Sequence, residues 1–179
     1  MQGNHGITEN TPDRLVLDAG IIYLGAIVSD NMLGATRGGV EWNLNRAFRN
    51  MEVDGALGDI KGMKRRENVR PTVAVNALEI TLDNLRHFIA GSYEPYGEDN
   101  TLKGGEINLE DYIDEINIIG IRSDGATVRI TLTDCLAEGD WSLAQNDRDE
   151  AVANVTFVAH FDPEDLDEEP WEIEIEPAA

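Results

Sequence analysis

The chain has 179 residues, enough for one well-packed domain, and carries 35 Asp plus Glu against 14 Lys plus Arg for a formal net charge of −21. Such a balance repels nucleic acid unless the basic groups cluster, so DNA binding is disfavoured as an overall role; a solvated acidic surface or a salt-adapted source explains the charge equally well. Cys135 is the one cysteine, which excludes an intramolecular disulfide and fits a cytosolic folding compartment. Residues 1–13 hold neither a basic nor an apolar leader-like stretch and no run of about 18 apolar residues follows, so a soluble protein without a membrane role is expected.

Taken in chain order, residues 1–13 are polar and end in Thr11-Pro12-Asp13, which predicts a flexible N-terminal arm. Two strand pieces are expected around Asp18-Ala19-Gly20, then a polar connector over residues 28–39. Val40, Trp42 and Leu44 alternate with Glu41, Asn43 and Asn45 as a half-buried strand does, and a separate strand is expected from Phe48 to Val53. Residues 54–68 then read as a long loop with Gly55, Gly58 and Gly62 and few apolar side chains, too long for a compact domain unless it serves a purpose. Little in it offsets the entropy of ordering, so mobility before assembly is expected.

Val69 to Ile80 has the β-branched composition of a strand, and Thr81 to Gly91 is the one clear helix, with Thr81 as N-cap and an apolar stripe of Leu82, Leu85 and Ile89. Further strands are expected at Ile113–Arg122, Thr127–Thr133 and around Val155–Phe161, with a polar connection over residues 138–150. The segment 162–179 is an acidic C-terminal arm in which Trp171, Ile173 and Ile175 alternate with Glu172, Glu174 and Glu176, the pattern of a last strand. Many strands and a single helix predict a mainly β, sandwich or barrel-like domain over residues 1–179.

Little in the chain points to catalysis. His5, His87 and His160 are far apart and lack metal-ligand spacing, and Cys135 has no cationic sequence neighbour to activate it. No Gly-x-x-x-x-Gly-Lys-Ser/Thr phosphate cradle occurs, and the acidic run from Asp162 lacks the spacing of a calcium loop. The expectation is a protein that is not an enzyme and needs no cofactor or metal. The distinctive chemistry is Lys61-Gly62-Met63-Lys64-Arg65-Arg66, four cations in six residues. It reads as a nucleic-acid patch, as a device for docking on the acidic surface of another copy, or as an ordinary basic loop paired with Glu67 and Asp59.

Three stretches together carry a resemblance: Gly34-Ala35-Thr36-Arg37-Gly38-Gly39, Glu52-Val53-Asp54-Gly55 through Arg66, and Leu78-Glu79-Ile80-Thr81-Leu82-Asp83-Asn84-Leu85. In them the chain resembles the major tail tube proteins of long-tailed bacteriophages over about residues 15–91, and more loosely over 113–161. The resemblance implies a β-sandwich with a flanking helix, six copies closing a ring, and rings stacking into a tube that delivers DNA into the host. It implies that Asp54, Gly55, Lys61, Lys64, Arg65 and Arg66 lie in a subunit or ring interface, with 54–68 as an assembly loop. Tape measure and tail completion proteins would be further partners, the virion tail the location, and the host cytoplasm the place of assembly. An acidic lumen lining would let DNA pass without specific binding, with Glu41 as one candidate lining residue. A contractile-tail or secretion tube subunit, or a monomeric acidic β-domain that binds a basic partner, would show similar strand patterns.

Overall fold

The computed structural model describes residues 10–16, 20–97 and 100–178. Its strands, in chain order, are β1 (Ile21–Leu24), β2 (Thr36–Asn50), β3 (Lys64–Ala77), β4 (Ser92–Tyr93), β5 (Lys103–Gly104), β6 (Ile113–Ile121), β7 (Thr127–Ala137), β8 (Ser142–Asn146), β9 (Asp149–Ala159) and β10 (Trp171–Glu176). The single α-helix among the described residues, α1 (Leu82–Phe88), lies between β3 and β4. All pairings are antiparallel, and the fold is mainly β and sandwich-like, as the strand-rich pattern predicts.

One layer runs β1-β6-β7-β10; the other runs β2-β3-β9, with β8 hydrogen-bonded to β9. The layers join at β7, whose first half pairs with β10 and whose last three residues, Cys135 to Ala137, pair with β9. Asp134 sits at that switch with φ of +49°, and the β6 partner register skips Asp114 opposite it. The positive φ at Asp134 bends β7 without shifting its register on β6, and lets one strand serve two layers.

The core between the layers is built from alternate residues, as a pleated strand requires. Val73 and Val75 of β3, Ile116 and Ile118 of β6, Leu132 of β7, and Val155 and Phe157 of β9 all belong to it. Phe88 at the end of α1 meets Phe157 edge to face, with ring centroids 6.3 Å apart, which closes the core beneath the helix. Thr81 is the N-cap as expected, its hydroxyl accepting from the Asn84 amide at 3.1 Å. Cys135 is fully buried, and burial first, then Asp134, raises its thiol to about 12, so it is an inert packing residue.

Several boundaries differ from expectation. The strands expected at Val40–Asn45 and at Phe48–Val53 are one 15-residue strand that begins at Thr36, inside the expected connector. Positive φ at Gly38 (+83°) and Gly39 (+82°) accommodates a register shift between Thr36 and Val40, so the chain enters the ladder earlier than its polar composition suggests. The polar connection at 138–150 contains β8 and the start of β9, a hairpin whose partly exposed residues show little apolar alternation. The expectation for the first nine residues of the N-terminal arm, and for Leu17, Asp18 and Ala19, lies outside the described residues. Within the acidic 162–179 segment, Trp171–Glu176 forms β10 on β7, with Glu174 and Glu176 against Arg129.

Candidate functional site: the β2–β3 finger

The expected loop over 54–68 is shorter than it reads, because β3 begins at Lys64. Lys64, Arg65 and Arg66 lie opposite Asn50, Arg49 and Phe48 in an antiparallel ladder, with a second register shift between Ala47 and Phe48 that leaves Glu67 without a ladder partner. Beyond this bulge the two strands form a ribbon whose residues are almost all exposed. A ribbon wet on both faces has no inside to select apolar positions, and so carries no period-two signal. That is why its cationic half reads as a loop.

We call residues 47–66 the finger. Its tip is closed by the Met51 amide donating to the Met63 carbonyl at 3.0 Å and by Asn50 Nδ2 donating to Asp59 Oδ1 at 2.6 Å. Asp54 and Gly55 form the turn at the tip, Gly55 with φ of +85°, and line a shallow hollow of about 420 Å³ with Met51, Val53 and Asp59. The tip also holds an apolar set that the expectation of few apolar side chains missed. Phe48, Met51, Val53 and Ile60 are each more than two-fifths exposed, and Leu57 is wholly exposed at 108%. Scattered surface apolar residues are ordinary, but several on one projecting hairpin mark a surface made to be covered.

The cations of the finger divide into two groups. Arg49, Lys61, Lys64 and Arg65 have no carboxylate partner among the described residues, whereas Arg37, Arg70, Arg86 and Arg122 of the body each pair with one and Arg129 pairs with two. Neither Asp59 nor Glu67 takes them up. Arg49 and Arg65 stand directly opposite each other across the ladder, an arrangement that repels until an anion is brought to it. Arg49 was not singled out in the sequence, since only the register reveals its partner.

Arg66 is different, because it is already engaged within the chain. Its Nη1 donates to Glu169 Oε1 at 2.5 Å and its Nη2 to the Asp167 carbonyl at 3.3 Å, while Arg46 pairs with Oε2 of the same Glu169. Trp171 Nε1 donates to Glu169 at 2.6 Å, and the Trp171 ring lies 5.3 Å from the Arg46 guanidinium and 5.8 Å from the Trp42 ring. Desolvation would raise the Glu169 carboxyl, but the hydrogen bonds from Trp171, Arg46 and Arg66 and the charge of Arg46 outweigh it and lower it from 4.5 to about 2. A depressed folded value means that the clasp contributes its full stability above about 4.5 and loses it as pH falls through about 2. Chemical denaturation of the parent and of Glu169→Gln across this range is therefore expected to show a stability gap that is constant near neutrality and closes in strong acid. A gap independent of pH would contradict this assignment.

The turn motif that opened the resemblance has a structural task. The Glu79 carboxylate accepts from the Ala35 amide at 2.7 Å, and Asn84 Nδ2 donates to the Leu33 and Glu79 carbonyls at 3.1 and 3.0 Å. Gly34, Glu79, Thr81 and Asn84 thus pin the entry of β2 to the start of α1. Glu41 is exposed on the outward face of β2 and accepts from Asn43 Nδ2 at 3.1 Å. Around it the same face presents Asn43, Asn45, Arg70, Thr72, Ala74, Asn154 and Thr156, a polar surface on which Arg70 is paired with Glu138. Among the described residues no group of three or more His, Cys, Asp or Glu could hold a metal.

The chain is similar to a phage-derived tube cap. The similarity is to the cap that terminates the tube of the anti-feeding prophage, with 13% identity, a TM-score of 0.47, and coverage of 93% of this chain and 99% of that one. No protein-family model matches the chain, and no curated protein matches it.

Proposed function

We propose that this chain is a structural subunit that assembles with copies of itself into stacked rings, six subunits to a ring, forming a phage-type tail tube. The observation that carries the reading is the finger: an apolar tip with unpaired cations, projecting from a chain whose net charge is −21. A monomer gains nothing by exposing Leu57 and Ile60, whereas a neighbouring copy with an acidic surface would cover them and neutralise Arg49, Lys61, Lys64 and Arg65. Asp54 and Gly55 shape the contacting turn. Free edges support the same reading, since among the described residues β2 pairs only with β3 and β10 only with β7, and closing a ring would pair such edges.

On this reading the polar face around Glu41 lines the lumen, where DNA passes without being held, and tape measure and tail completion proteins meet the ends of the tube. The protein then belongs to the virion tail and assembles in the host cytoplasm. Sedimentation and negative-stain microscopy of the purified protein test the proposal. Rings or tubes of uniform width are expected, and a strict monomer at high concentration would overturn it.

A further inference from the structure

The segment from Asp167 to Trp171 braces the finger at its root. Glu169 joins Arg46 on β2 to Arg66 on β3, and these two residues lie on either side of the bulge where the ladder slips between Ala47 and Phe48. A bulge bends and twists a ribbon, and without further support a two-stranded extension pivots there. Among the described residues, every hydrogen bond or ion pair from a finger side chain to the rest of the chain ends on Asp167 or Glu169. The bracing end is itself anchored: Trp171 opens β10, pairs opposite Leu132 of β7, and packs its ring at a tilt against Trp42. Glu169 is only 13% exposed, so its ion pairs are screened less than the surface pairs elsewhere.

We propose that Asp167–Trp171 is a strut that sets the direction of the finger, with Glu169 as its positioning residue, and that assembly requires the finger to be held in that direction. The second half rests on the assembly reading above; the first does not. A finger free to swing would lose orientational freedom on docking, and pre-aiming it removes that cost. The C-terminal segment therefore supports an interface from behind, without touching the partner.

Spin labels on Leu57→Cys and Leu109→Cys report the finger direction against the body, because both positions are at least nine-tenths exposed while Cys135 is fully buried. A pair on Glu41→Cys and Leu109→Cys reports the body alone. In the parent protein both pairs are expected to give one narrow distance distribution. Glu169→Gln, which keeps an acceptor for Trp171 but removes the charge, is expected to broaden the finger distribution roughly twofold and leave the body distribution narrow. Arg66→Gln cuts one limb of the strut and is expected to do the same to a lesser degree, which carries the test if the Glu169 variant fails to fold. A broad finger distribution in the parent, or an unchanged one in the variants, overturns the strut. If the finger loosens but rings form at the parental concentration, the link to assembly falls while the strut stands. If the parent protein never assembles, the assembly reading fails and the distance measurement still decides the strut.

Discussion

Changing Leu57 and Ile60 together to Ser is expected to leave the monomer as stable as the parent and to abolish ring and tube formation at concentrations where the parent assembles. Leu57 is wholly exposed and Ile60 about two-fifths exposed on the finger tip, so the monomer loses little packing when they are removed. If a neighbouring copy buries them, each forfeits about 1.5–3 kcal/mol of transfer free energy. That is roughly one to two powers of ten in the dissociation constant for each side chain. The companion variant Lys61→Ser, Lys64→Ser and Arg65→Ser addresses the ionic part. Exposed ion pairs contribute about 0.2–1 kcal/mol each, so a smaller rise in the assembly concentration is expected, and one that added salt reproduces in the parent. Sedimentation velocity across a concentration series, with denaturation curves to confirm folding, checks both variants. Assembly of the Leu57 and Ile60 variant at the parental concentration would remove the finger from the interface.

Arg66 does not belong in that set. Its ion pair with Glu169 is intramolecular, so Arg66→Ser acts on the root of the finger rather than on its docking surface. The run Lys64-Arg65-Arg66 therefore holds two tasks in adjacent residues. Alternation along β3 separates them: Arg66 shares the face of Phe48 and turns toward the strut, while Arg65 lies on the opposite face beside Arg49.

The second large effect is expected at Gly34. A Cβ there would lie 2.4 Å from the Glu79 carboxyl carbon, and the φ of +94° is one that side-chain-bearing residues rarely adopt. Gly34→Ala must strain the backbone, at about 1–3 kcal/mol, and push away the carboxylate that accepts from Ala35, at about 1 kcal/mol more. Gly55→Ala is the control. Its φ is +85° but its Cβ would meet nothing within 4 Å, so the strain acts alone and the loss is expected to be smaller. Thermal or urea denaturation of the two variants measures the difference. Equal losses would show that the Gly34–Glu79 contact is idle.

Gly34, Gly38, Gly39 and Glu79, which carry part of the sequence resemblance, shape the entry to β2 and fasten it to α1. The finger combines exposed apolar side chains with cations that have no carboxylate partner among the described residues. Its apolar tip was present in the sequence as Met51, Val53, Leu57 and Ile60, but without a periodicity that distinguishes core from surface.

The sequence by itself determined the mainly β fold, the helix with its Thr81 cap, the strand that becomes β6 and the acidity of the chain, because these follow from local apolar pattern, capping chemistry and composition. Only the tertiary structure decided that β2 is one long bulged strand, that Arg49 faces Arg65, and that Glu169 ties Arg46 to Arg66. The physical reason is the same in each case. Register and ion pairing join residues far apart in the chain, Glu169 lying more than a hundred positions from Arg66, and no local pattern records which side chains a bulge brings opposite one another.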